Sequence, residues 1–247
     1  MTRIKMCGLT REEDIAAANE ILPDYVGFVF APDFRRYITP ERATELRADL
    51  DEDITVVGVF VDAPVRFVAA LLNEDLIDIA QLHGDEDDAY IEQLRSALRA
   101  PDEKAILKSF VVNSAADIQA ANASSADMVA LDAGRGEGAT FDWSMLAAIE
   151  RPYFLAGGLN PENVGAALDA TQAAYVDTSS GIETDGVKDP AKMLAFAQAV
   201  RAWDEANPRL SFLESLHAEY HDDNPESADD ANGADGGGCS GCCTCMN

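Results

Sequence analysis

Long apolar runs and positive charge are what this sequence has least of. No run reaches the roughly 18 residues of a membrane-spanning helix, and the N-terminus lacks the basic and apolar regions of a secretion signal. We therefore expect a cytoplasmic protein. Lysine and arginine number 18 against 45 acidic residues, for a net charge of −27. Such a surface repels phosphate backbones and anionic lipids, so neither nucleic acid nor a membrane is an expected partner.

The acidic excess extends over most of the predicted helices instead of being confined to one segment. Lysine is scarce, with only Lys5, Lys104, Lys108, Lys188 and Lys192 in the chain. An acidic, lysine-poor sequence is typical of a halophilic protein, because concentrated salt screens the self-repulsion of its surface. The alternative is an ordinary acidic protein with an acidic tail, which the spread of the charge disfavours.

Cysteine is scarce as well. Four of the five cysteines lie within the last nine residues, so Cys7 is the sole thiol in the rest of the chain. It lies in "IKMCGLT", at the end of the first apolar run and directly before a helix start. A buried cysteine at such a place is often no more than a small apolar side chain. Whether Cys7 has a chemical role therefore depends on what accompanies it.

Apolar runs rich in β-branched residues alternate with segments whose apolar residues recur three and four apart, as in α/β proteins. Eight strands in residues 1–206 predict a parallel sheet, and eight is the number that closes a (β/α)8 TIM barrel. An open doubly wound sheet is the alternative, but the turn "CGLT" lacks the Gly-x-Gly-x-x-Gly fingerprint. The predicted strands are Arg3–Gly8, Tyr25–Phe30, Thr55–Phe60, Ile79–His83, Ala105–Phe110, Met128–Asp132, Tyr153–Gly158 and Tyr175–Ser180.

Helix starts are marked by capping residues. Thr10 with Glu13 predicts a capping box. The pairs Thr39-Pro40, Asn160-Pro161 and Asp189-Pro190 each combine an N-cap residue with a proline at the first helical position.

The barrel pattern stops at Asn207. Residues 207–220 predict one extra short helix, and residues 221–247 form an acidic, Gly- and Cys-rich tail that we expect to be disordered. Thiolates so closely grouped could bind zinc or copper(I), but structural zinc sites usually place two cysteine pairs well apart. We therefore assign no metal to the tail cysteines, which are Cys239, Cys242, Cys243 and Cys245.

The carboxyl ends of the strands should carry the chemistry, because TIM-barrel active sites lie at that face. Two glycine-containing turns, "AGGLNPEN" after the seventh strand and "VDTSSGIE" after the eighth, occupy the usual phosphate site of the fold. Glycine lets the backbone approach an anion closely, and N–H groups at helix starts favour its charge. The residues in these turns that suit a phosphate are Gly157 and Gly158 in the first, and Ser179, Ser180 and Gly181 in the second.

Cys7 and Asp132 both end predicted strands, so they share this face. A thiolate near helix N–H groups is a competent base, and a carboxyl group acts as an acid when its surroundings favour the protonated form. A base and an acid on opposite sides of a phosphorylated substrate suit an isomerisation by proton transfer. Such a reaction needs neither a metal nor a redox cofactor.

Six motifs in order, "KMCGLT", "GFVF…RRYITPERA", "QLHGDE", "LDAGRGEGATFDW", "LAGGLNPENV" and "VDTSSGIETDGVKDP", resemble the phosphoribosylanthranilate isomerase family of tryptophan biosynthesis. The resemblance runs from about residue 3 to 205. It implies a TIM barrel that performs the Amadori rearrangement of N-(5′-phosphoribosyl)anthranilate without a cofactor, as a monomer or a homodimer. Ala139 stands where the family often has lysine, so any contact of that lysine is lost here.

The resemblance also implies roles for individual residues. Cys7 would be the general base and Asp132 the general acid. Arg36 would hold the anthranilate carboxylate, and Gly157, Gly158, Ser180 and Gly181 the phosphate. His83 and Asp177 lie in matching motifs, without an assigned role.

The nearest alternatives are other barrel enzymes that act on phosphorylated substrates. The related imidazole-pathway isomerase would need an Asp at Cys7. Indole-glycerol-phosphate synthase would need catalytic Lys and Glu at strand ends, and the first and third strands carry no suitable lysine. A non-catalytic phosphate- or metal-binding module is the third hypothesis.

Overall fold

The computed structural model describes residues 1–132 and 143–208, and it shows a closed barrel of eight parallel strands in chain order. The predicted fold class is confirmed. Most predicted strands run one or two residues too far at their carboxyl ends, where the chain already turns into the loops. The strands are β1 (Arg3–Cys7), β2 (Tyr25–Val29), β3 (Thr55–Phe60), β4 (Ile79–Leu82), β5 (Ala105–Val111), β6 (Met128–Asp132), β7 (Tyr153–Ala156) and β8 (Tyr175–Thr178).

Helices follow the strands, with two local departures from the simple βα repeat. A 3-10 helix, Trp143–Ala148, precedes β7. After β8 come a 3-10 helix (Ser180–Ile182) and a short hairpin of β9 (Glu183–Thr184) and β10 (Val187–Lys188). The α-helices are α1 (Glu12–Ile21), α2 (Pro40–Ala48), α3 (Val65–Asn73), α4 (Asp88–Ala97), α5 (Ala115–Ala123), α6 (Val164–Thr171) and α7 (Pro190–Ala206).

Two of the predicted helix caps are confirmed. Thr39 accepts a hydrogen bond from the backbone N–H of Arg42, and Asp189 accepts one from Ala191, each ahead of a proline at the first helical position.

The other two caps are wrong. At α1, Asp14 and not Glu13 accepts the N–H groups of Thr10 and Arg11, because the helix begins at Glu12. Asn160 closes a turn by accepting the N–H of Asn163, and α6 begins only at Val164.

The apolar core forms two layers, one between the strands and the surrounding helices and one inside the barrel. The inner layer lies towards the amino-terminal ends of the strands, and a cavity lined by both polar and apolar side chains lies at the carboxyl-terminal ends. Its buried members are Tyr25, Val57, Ile79, Leu107, Ala130 and Phe154.

Three sequence predictions lie outside the described residues: the short helix beyond residue 208, the cysteine tail, and the loop that contains Ala139. Within the described ranges, no helix is both long enough and apolar enough to cross a membrane.

Candidate active site

A cavity of about 440 Å³ opens at the carboxyl ends of the barrel strands. Residues from all eight strands or the loops that follow them line it, which is the expected place for a TIM-barrel site. The predicted site residues in its wall are Cys7, Arg36, His83, Asp132, Gly157, Gly158, Asp177 and Ser180.

Cys7 is the last residue of β1 and is 9% exposed. It pairs in register with Gly27 of β2, and a Cβ atom at position 27 would lie 2.7 Å from the cysteine Sγ. Gly27 therefore leaves the space that the thiol occupies. The Ser179 hydroxyl donates to the Cys7 carbonyl at 2.9 Å, which ties the end of β1 to the loop after β8.

Two buried lysines place positive charge near the thiol. The Lys5 Nζ donates to Asp177 Oδ2 at 2.7 Å, and neither side chain is more than 9% exposed. Burial lowers the pKa of Lys5, but the attraction of Asp177 and Cys7 more than offsets this, so the pKa is raised above 10.5. At Lys188 burial dominates and lowers the pKa, although Glu183 and Cys7 both act to raise it.

Asp132 ends β6 and faces His83, which follows β4. The His83 Nε2 lies 3.8 Å from Asp132 Oδ2, and both side chains are partly exposed to the cavity. Burial lowers the pKa of His83 below 6.5, despite the opposing effect of Asp132. At neutral pH the imidazole is therefore mostly uncharged, and His83 supplies no fixed positive charge to the site.

Arg36 is held in the cavity wall by Glu183 of β9. Its Nε donates to Glu183 Oε1 at 2.6 Å and its Nη2 to Oε2 at 3.0 Å. Arg35 and Lys188 donate to the same carboxylate, at 2.6 and 2.7 Å. Because guanidinium carries five N–H donors, Arg36 retains donors for an anion in the cavity. Glu183 thus fixes the orientation of Arg36 through two parallel bonds.

The turn after β7 has a backbone that only glycine adopts readily. Gly157 and Gly158 both have positive φ values, of 101° and 68°, and the space where a Cβ of Gly158 would lie is empty to 4 Å. Gly181, which the sequence also predicts at the phosphate site, is not among the residues that line the cavity. A Cβ there would collide with the Leu159 carbonyl, so Gly181 lets the two turns pack closely.

Glu183 should make folding stability sensitive to acid. Burial raises its pKa, but the hydrogen bonds from Arg36, Lys188 and Arg35 prevail and lower the pKa from 4.5 to about 2. A pKa lowered in the folded state contributes stability above pH 4.5, and this stability is lost as the pH falls towards 2. We expect Glu183→Gln to unfold at lower temperature than the parent protein at pH 6, and the difference to shrink at pH 3. A difference in unfolding temperature independent of pH would contradict this.

The residues that support Cys7 and Arg36 were not predicted from the sequence; they are Lys5, Glu183 and Lys188. Lys5 had a readable signal, since it precedes Cys7 by two positions and both therefore point to the same side of β1. The pairing of Glu183 with Lys188 depends on the hairpin between them, which no motif indicated.

A closed parallel barrel with a thiol, a carboxylate, an arginine and a glycine turn around one cavity belongs to the class of TIM-barrel enzymes. Comparison with known proteins narrows the class. The family model "N-(5'phosphoribosyl)anthranilate (PRA) isomerase" matches residues 4–199. The N-(5'-phosphoribosyl)anthranilate isomerase of Endomicrobium trichonymphae is 39% identical over 207 residues, which cover 82% of this chain and all of that one.

Solved structures of this family resemble the barrel as well. Phosphoribosyl anthranilate isomerase from Thermotoga maritima superimposes with a TM-score of 0.73 at 32% identity, over 82% of this chain and 100% of that one. Another structure of such an isomerase, in complex with reduced 1-(o-carboxyphenylamino)-1-deoxyribulose 5-phosphate, gives 0.71 at 32% identity over the same shares. The chain belongs to the phosphoribosylanthranilate isomerase family.

Proposed function

We propose that this protein converts N-(5′-phosphoribosyl)anthranilate into 1-(2-carboxyphenylamino)-1-deoxyribulose 5-phosphate, with Cys7 as the base and Asp132 as the acid. The family supports the reaction, an aldose–ketose isomerisation in tryptophan biosynthesis. The observation that carries the assignment of roles is the presence of Cys7 and Asp132 in the wall of one cavity, together with the glycine turn after β7.

The reaction moves protons and requires no redox partner. Asp132 donates a proton to the ring oxygen of the ribose, the C1–O bond breaks, and the anilino nitrogen forms a C=N bond with C1. Cys7 removes the proton from C2, that electron pair forms a C1=C2 bond, and the π electrons of the C=N bond return to the nitrogen to give an enol. Loss of the proton on the C2 hydroxyl and protonation of C1 then give the ketone. Each proton-transfer group of this kind typically accelerates a reaction by about 10²–10⁴-fold.

The remaining cavity residues hold the two anionic ends of the substrate. Arg36 binds the anthranilate carboxylate with the donors that Glu183 leaves unused. The backbone of Gly157 and Gly158, with the Ser180 hydroxyl, binds the phosphate at the usual position in the fold. Gly181 supports this site by close packing against Leu159.

Turnover of the proposed substrate is the direct test. Phosphoribosylanthranilate is generated in situ, and the loss of its fluorescence is followed with and without the purified protein. We expect saturable acceleration by the full chain and by a variant that lacks residues 221–247, since the barrel carries every proposed role. No acceleration by the folded full chain would contradict the function. Activity lost only in the shortened variant would show that the tail takes part.

The same assay, run at different salt concentrations, tests whether the protein is halophilic. Its acidic excess of 45 to 18 and its five lysines support a halophilic protein of the cytoplasm, although the family relationship bears on neither property. The assay is therefore run over a range of potassium chloride concentrations. Activity and thermal stability that rise into molar salt would support this origin, and a steady decline would contradict it.

A further inference from the structure

The floor of the cavity holds two hydrogen-bond acceptors that no residue in the described part of the chain satisfies. Within residues 1–132 and 143–208, the buried side-chain atoms without a hydrogen-bond partner are Gln81 Oε1 and Asp177 Oδ1. Both residues line the cavity, and they are only 3% and 8% exposed. A buried polar atom left unpaired costs about 1–3 kcal/mol, so a pair of them in one cavity calls for an explanation.

Both acceptors lie at the same depth in the barrel. Interior side chains of this fold stack in layers contributed by alternate strands. The strand registers place Gly27, Gln81, Ala130 and Asp177 in one layer. Branched apolar side chains usually fill such a layer, but here two members are small and two are polar. Cys7 lies one layer higher and Asp132 one layer above that, so the acceptors lie beneath the two proposed proton-transfer groups.

The second atom of each side chain is already engaged. Gln81 Nε2 donates to the Ser109 hydroxyl at 2.9 Å, which holds the amide in place. Asp177 Oδ2 accepts from Lys5 at 2.7 Å, and this ammonium group neutralises the carboxylate. The remaining oxygens are thus fixed in orientation, and a neutral donor suits them better than a cation. Phosphate and carboxylate groups bring only acceptors, so neither anionic end of the proposed substrate fits here.

We propose that Gln81 Oε1 and Asp177 Oδ1 accept hydrogen bonds from the two neighbouring sugar hydroxyls, at C2 and C3, of the substrate between Cys7 and Asp132. The inference rests on the proposed function and names the part of the substrate that these residues recognise. The anilino N–H is the substrate's other donor, and a single N–H cannot serve acceptors on β4 and β8, at opposite sides of the barrel. The two residues are positioning and specificity residues for the sugar.

Binding of three compounds to the full-length protein tests the proposal. The probes are the reduced product, 1-(2-carboxyphenylamino)-1-deoxyribitol 5-phosphate, and its analogues that lack the hydroxyl at C2 or at C3. We expect the parent protein to bind each analogue about five- to tenfold more weakly than the reduced product. In Gln81→Met the penalty for one analogue should vanish, because its acceptor is gone. The penalty for the other should persist, because Asp177 still accepts its hydroxyl.

Ser109→Ala is the matched control, since it removes the partner of the Gln81 amide but keeps Oε1. It should retain both penalties. Parent protein that turns over substrate yet binds all three compounds equally would overturn the hydroxyl site and leave the proposed function intact. Penalties unchanged in Gln81→Met would remove Gln81 from the proposal. A folded parent protein with neither turnover nor binding would overturn both.

Discussion

Replacement of Cys7 by serine is expected to lower kcat by about 10³-fold, within the range for loss of a proton-transfer group. The two side chains have nearly the same shape, so the space opposite Gly27 stays filled and the fold should persist. A thiol has a reference pKa of about 8.5, whereas a serine hydroxyl is a far weaker acid and forms almost no alkoxide near neutral pH. The variant therefore keeps the cavity and loses the base.

Two buried lysines interact with Cys7. Lys5 and Lys188 both interact favourably with negative charge on the thiol, since Cys7 is among the influences that raise the pKa of each lysine. A serine hydroxyl cannot use this charge near neutral pH, which is why the loss should be large for so small a change in shape.

Cys7→Asp provides the matched comparison, because it restores a base of different pKa. A carboxylate has a reference pKa of about 3.9, so a partly active Cys7→Asp variant should be active at lower pH than the parent. The measurement is kcat against pH for all three proteins, with unfolding temperature as the control for folding. Parent-like kcat in Cys7→Ser would remove Cys7 from the role of base.

The barrel could be predicted from the sequence because strand periodicity is local and eight βα units leave few topologies. The eight strands begin where the apolar runs begin. Their ends are harder to place, since the chain continues apolar or small through Phe30 and Gly157 while the backbone already turns. The helix start predicted at Asn160-Pro161 is wrong because an Asx turn and a helix N-cap favour the same residue types.

Part of the candidate site could be predicted from the sequence. Cys7 and Asp132 follow from one rule, that chemistry lies at the carboxyl ends of the strands. The residues that hold the site in place do not follow from this rule, because their partners lie far away in the sequence. Lys5 pairs with Asp177, 172 positions away, and Glu183 pairs with Arg36, 147 positions away. Such partners become visible only once the closing register of β1 with β8 is known. The scarcity of lysine could have drawn attention to these residues, since three of the five lysines are buried. The buried lysines are Lys5, Lys108 and Lys188.

Lys5→Met is expected to cost about 3–5 kcal/mol of unfolding free energy, the usual range for removing one partner of a buried ion pair. The loss is large because Asp177 loses the one ion-pair partner that it has among the described residues, while its side chain remains buried. The pKa of Lys5 is raised in the folded state, so its contribution is complete below pH 10.5 and is lost as the pH rises through the raised pKa. Urea unfolding at neutral pH measures the cost.

The double variant Lys5→Met/Asp177→Leu tests whether an unpaired buried charge or a loss of packing causes this loss of stability. Replacing both partners by apolar groups of similar size is often nearly neutral, so we expect the double variant to recover most of the lost stability. It should not recover turnover, because it lacks both the positive charge beneath Cys7 and the free oxygen of Asp177. A double variant as unstable as Lys5→Met would show that packing, and not an unpaired charge, causes the loss. A stable double variant with parent-like turnover would show that the pair serves the fold alone.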